Sequence, residues 1–157
     1  MIHISKKIST IISLILTIIL VFALCYLIYW LPEVVTSMIT ATDNLGDRAN
    51  ITDSGRLFVL IDAYTMVAVA FLAVILLFFL LRTVLREIVF SSSTTRILSA
   101  LSYCCFTEGI LFLILIIYFQ LAFGLAIAAF FLGLCLRVVK NVIEEATRIK
   151  AENDFTV

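Results

Sequence analysis

Four apolar runs divide the chain, and each approaches the roughly twenty residues that cross about 30 Å of hydrocarbon. The first runs from Ile8 to Leu31 behind Lys6 and Lys7. The second runs from Leu57 to Leu81 and ends at Arg82. The third follows Ser91-Ser-Ser-Thr-Thr-Arg96 and extends from Ile97 to about Phe119; the fourth extends from about Leu121 to Val139. A single helix over the last two would be roughly 65 Å long, twice a bilayer. The pattern therefore predicts a tight hairpin between them, where only Gln120 and Gly124 offer turn chemistry. The first run is too long for a signal peptide and no small-residue cleavage site follows it, so it reads as an uncleaved anchor. The expected fold is all-α: an integral membrane four-helix bundle over residues 1–139, followed by a tail helix and an extended end over 140–157.

Charge position orients these segments. The N-terminal stub carries Lys6 and Lys7, the middle loop Arg82, Arg86 and Arg96 against Glu87, and the tail Arg137, Lys140, Arg148 and Lys150. The stretch from Pro32 to Arg56 instead holds Glu33, Asp43, Asp47 and Asp53 against Arg48 and Arg56. By the positive-inside rule both termini and the middle loop are expected in the cytoplasm of a bacterial cell, with Pro32 to Arg56 a polar connector outside its plasma membrane.

Composition agrees with the pattern. Of 157 residues 64% are hydrophobic and 14% charged, against about half and a quarter in a soluble domain. Eleven basic and eleven acidic side chains cancel, which gives no general pull toward nucleic acid. The four cysteines lie in apolar runs without zinc-ligand spacing and read as small packing residues. His3 is the only histidine. Without a metal cluster, a phosphate loop or a nucleophile beside a base, the chain is not expected to be an enzyme, and no cofactor or metal is implied.

Two acids interrupt the apolar runs. Asp62 falls about one and a half turns inside the outer end of the second segment, and Glu108 near the middle of the third. The two are expected at different depths. A charge at the bilayer centre costs at least about 2.5–3.5 kcal/mol, so each acid needs a proton, a partner or water. Thr65, Tyr103, Thr107 and Gln120 are candidate hydrogen-bond partners from neighbouring helices. The functional alternative is a proton or cation path. In the fourth segment Ala122, Ala126, Ala129 and Gly133 form a row of small residues that permits close helix approach, within one chain or in a homo-oligomer.

The tail carries its own pattern. Leu136, Val139, Val142, Ile143, Ala146 and Ile149 share one helical arc, while Arg137, Lys140, Asn141, Glu144, Glu145, Arg148 and Glu152 fill the other. This predicts an amphipathic helix continuing the fourth segment, with Glu144 and Arg148 as an i,i+4 pair. It should project about 18 Å past the hydrocarbon. The stripe is expected to pack on Val84, Leu85 and Ile88 of the middle loop, to lie on lipid, or to bind a partner. Asn153 and Asp154 are expected to break the helix.

The ending Glu144-Glu-Ala-Thr-Arg-Ile-Lys-Ala-Glu-Asn-Asp-Phe-Thr-Val157 resembles the bacterial DUF2975 family of small membrane proteins, whose chains close on lysine-x-glutamate-asparagine-aspartate-leucine-threonine. Lys150, Glu152, Asn153, Asp154 and Thr156 match, with Phe155 in place of the leucine. The middle loop is similar through Leu85-Arg86, Phe90 and Arg96-Ile97, with Val89 where members often carry proline. The resemblance implies genetic association with a small helix-turn-helix regulator. On that basis Arg86, Phe90, Ile149, Glu152, Asn153, Asp154 and Phe155 are the expected partner-binding residues. The expected function is a regulatory interaction protein that holds such a regulator at the membrane; the alternative is an oligomeric transporter or channel subunit using Glu108 and Asp62.

Overall fold

The computed structural model describes residues 6–44, 52–85 and 92–154. They form four α-helices: α1 (Lys6–Asn44), α2 (Asp53–Leu85), α3 (Ser92–Leu115) and α4 (Ala122–Asp154). All four are long and apolar enough to cross a membrane. The chain is a multi-pass membrane protein of all-α architecture.

Among the described residues, backbones approach closely only between successive helices: α1 on α2, α2 on α3, and α3 on α4. The end of the array that holds the α1–α2 connection and the α3–α4 turn is called the hairpin end below, and the opposite end the terminal end. At the hairpin end Val35 and Ile39 of α1 bury against Val59 of α2, with Leu115, Tyr118 and Phe119 packed on them. Arg56 also donates from Nη2 to Thr36 Oγ1 at 2.7 Å, tying α2 to α1.

The helices extend beyond the apolar runs. α1 continues past Pro32 to Asn44, where a polar connector was expected. Proline lacks an amide hydrogen and crowds the preceding turn. Here, however, Leu31, Val35 and Ile39 recur every four residues and are all buried, so tertiary packing holds the helix together. α2 opens at Asp53, whose carboxyl suits the positive end of a helix. Its first turn is closed by the Arg56 amide donating to Thr52 O at 3.0 Å.

The hairpin between α3 and α4 forms earlier than its turn residues suggest. α3 stops at Leu115, and the amides of Tyr118 and Phe119 both donate to Leu115 O, at 3.0 and 2.9 Å. Phe123 then donates to Gln120 O at 3.1 Å, inside the first turn of α4. Gly124 belongs to that helix, and a Cβ there would meet nothing. Gln120 lies in the turn; Gly124 does not.

α3 and α4 pack by exchanging rings for glycines. Phe130 of α4 fills the space over Gly109, and Phe106 of α3 fills that over Gly133, each ring 3.0 Å from where a Cβ would stand. The two rings lie 6.2 Å apart at a tilt. Ser102, fully buried, donates from Oγ to Gly133 O at 2.9 Å. Ala122, Ala126 and Gly133 face this seam and are buried, so the small-residue row serves intrachain packing.

Candidate functional site

Two features stand out: the projecting end of α4 and the buried acids of α2 and α3. On α4 the line facing inward is Leu136, Lys140, Ile143 and Thr147, all half-buried. The apolar arc is rotated from that line, so part of it stays open. Val142 is 63% and Ile149 50% exposed. With Ser102 opposite Gly133 in an antiparallel pair, Ser92 falls level with about Ile143, and α4 runs on about 16 Å beyond the start of α3.

The charged face is stapled along its length. Lys140 pairs with Glu144, and Arg148 donates from Nη2 to Glu145 at 2.6 Å, with Glu152 at 4.0 Å on its other side. The expected Glu144–Arg148 pair does not form, because Lys140 claims Glu144 from the preceding turn. Asn153 and Asp154 do not break the helix; α4 runs through both. Of the expected partner-binding residues, Ile149 and Glu152 are exposed on this helix, and Asn153 and Asp154 form its last turn. Arg86, Phe90 and Phe155 lie outside the described residues, as does Ile88. α4 makes no close backbone approach to α2, which carries Val84 and Leu85.

The two acids stand on the neighbouring helices α2 and α3. Asp62 stands nine residues below the start of α2, about 14 Å. Glu108 stands seven residues below the end of α3, about 11 Å. The Phe58 ring meets Tyr118 and Val59 shares a core with Leu115, a register that sets Glu108 a turn or more deeper than Asp62. Asp62 is only 6% exposed, and its Oδ2 and the Oε1 of Glu108 are buried with no hydrogen-bond partner.

The expected partners are engaged elsewhere. Thr65 donates to Ile61 O at 2.9 Å and Thr107 to Tyr103 O at 3.0 Å, each back to its own helix. The Tyr103 ring lies under the Arg137 guanidinium, 5.3 Å from its centroid, and Gln120 sits exposed in the turn. Among the described residues, no group of three or more His, Cys, Asp or Glu side chains is placed to hold a metal ion. Sequence reasoning missed the Gly109–Phe130 contact and Ser102. Gly109 directly follows Glu108, and its place in an apolar run was the available signal.

Comparison with known proteins covers both features. The model of DUF2975, a protein family of unknown function, matches residues 40–157. The chain belongs to the DUF2975 family. The match takes in α2, α3, α4 and the last turn of α1, together with the tail and middle loop. Most of α1 lies outside it. No curated protein and no solved structure matches the chain significantly.

Proposed function

We propose that this DUF2975 protein is a membrane-embedded regulatory protein that holds a small cytoplasmic helix-turn-helix transcription regulator through its tail helix and middle loop. The observation that carries this reading is the exposed apolar edge, Val142 and Ile149, on a helix that outruns α3. A helix of this kind gives a partner's groove anchors one or two turns apart. The tail is an unattractive lipid ligand, because its charges balance instead of forming a basic face. The residues this reading assigns to the partner are Ile149, Glu152, Asn153, Asp154 and Phe155 of the tail with Arg86 and Phe90 of the middle loop. Both termini lie in the cytoplasm of the bacterial cell.

Affinity capture from the host tests the reading, with the full-length protein beside a form ending at Asn141. A small DNA-binding protein retained only by the full-length bait is the expected result. Unchanged output from that regulator's promoter in the truncated strain sinks the proposal.

One observation favours a second reading, a small oligomeric transporter or channel subunit. Two buried carboxyl oxygens on neighbouring helices lack partners, as expected of groups that exchange a proton or cation. Four helices are few for a transport path, so copies would associate. Here Glu108→Gln abolishes ion-coupled flux in liposomes and leaves assembly intact; loss of assembly instead makes Glu108 structural.

A further inference from the structure

All four helices contribute to a cavity of about 390 Å3 at the hairpin end, within the range of about 300–1,000 Å3 typical of small-molecule sites. Its lining is apolar throughout, including Val35 of α1, Ala63 and Met66 of α2, Phe112 and Leu115 of α3, and Leu125 of α4. Helical spacing relates the two acids to this lining. Asp62 lies three residues after Val59 and four before Met66, both lining residues; Glu108 lies four before Phe112 and seven before Leu115. Residues three, four and seven apart share a helix face, so both acids belong to the faces of α2 and α3 that border the cavity, although neither is among its lining residues. One oxygen of each is buried without a hydrogen-bond partner, a site that a donor would satisfy.

The protein supplies no cation for them. From Ile8 to Asn44, Leu57 to Leu81, Ile97 to Leu115 and Leu121 to Leu136 there is no lysine or arginine. A metal ion fits poorly, since calcium takes six or more oxygens and magnesium keeps its waters, and the lining here is hydrocarbon. A neutral apolar molecule leaves both oxygens orphaned. An ammonium on an apolar body answers both demands, with three N–H donors and one positive charge.

We propose that this cavity binds a lipophilic primary amine, its body among the side chains of all four helices and its ammonium between Asp62 and Glu108. Because neither acid is among the lining residues, the ammonium reaches them as a lining side chain turns. Met66, unbranched and one turn from Asp62, is suited to that movement. The inference rests on neither tail docking nor flux, since a sensor and a transporter alike must bind their ligand.

The test uses the full chain in phosphatidylcholine nanodiscs, with 4-phenylbutylamine and its neutral analogue 4-phenylbutanol as probes and empty nanodiscs as the partition control. The amine is expected to bind saturably and the alcohol about tenfold or more weaker, the cost of losing a charge-assisted hydrogen bond. Asp62→Asn and Glu108→Gln should each weaken the amine about tenfold and leave the alcohol unchanged. Equal binding of the two probes makes the cavity an acyl-chain site and overturns the proposal. So does amine uptake no greater than in empty nanodiscs. Should either variant fail to assemble, the comparison of probes on the unaltered protein still decides.

Discussion

Gly109 and Gly133 hold the α3–α4 seam together by what they lack. In a bilayer, helix association gains little from the hydrophobic effect and depends on close packing and hydrogen bonds. Each glycine admits a phenyl ring from the facing helix to 3.0 Å of its missing Cβ. A branched side chain there must displace the ring or part the helices. Gly133→Leu is expected to destabilise the chain by about 1–3 kcal/mol, the usual cost of overpacking, in reversible unfolding from mixed micelles by SDS. Because Ser102 donates to the carbonyl of the same glycine, Ser102→Ala should cost much less, about 0.6 kcal/mol, the average for hydrogen bonds between membrane helices. If the serine variant proves the more damaging, the hydrogen bond and not the ring exchange is the main restraint. This contact was half legible. The row Ala122, Ala126, Ala129, Gly133 announces a close approach, but no spacing within α4 names Phe106 as the ring that enters it.

At the scale of the element, α4 shows why an amphipathic pattern does not by itself fix which face is covered. Its inward residues are Ala122, Ala126, Ala129, Gly133, Leu136, Lys140, Ile143 and Thr147, alternating steps of four and three. That is the 3.5-residue seam of helices packed in a left-handed sense. The seam accepts Lys140 and Thr147, while Val142 and Ile149 fall outside it. Surface changes away from packed positions usually stay within about 0.5 kcal/mol. Val142→Lys with Ile149→Lys should therefore leave SDS unfolding nearly unchanged and abolish capture of the regulator. Retained capture would move the docking surface to the charged face or the middle loop. Glu144→Gln, by contrast, removes the Lys140 pair on an exposed face, and its effect should not exceed about 0.5 kcal/mol. α1 gives the complementary lesson. Pro32 suggested a helix end, yet the four-residue recurrence of Leu31, Val35 and Ile39 was in the sequence and outweighed it. Apolar runs mark where lipid begins, and helices do not stop there.

The described residues form an array in which each helix leans on its chain neighbour, and side chains from all four line the cavity at the hairpin end. The number of segments was legible, because hydropathy counts crossings directly. The order of packing was not, since any of several arrangements buries the same apolar faces when lipid is as apolar as leucine. The crossings make a further demand that can be measured. Three helices, α2, α3 and α4, separate Ser54 from Glu152, so the two residues must lie on opposite sides of the membrane if each helix spans it. The proposed orientation, argued from the bias of lysine and arginine, puts Ser54 outside and Glu152 in the cytoplasm. In a background with Cys25, Cys104, Cys105 and Cys135 replaced by alanine, a membrane-impermeant maleimide should label Ser54→Cys on intact cells. It should label Glu152→Cys only after permeabilisation. Labelling of both from outside means that at least one of the three helices does not cross. The reverse order means an inverted chain, whose tail faces away from any transcription regulator, and the docking proposal fails with it.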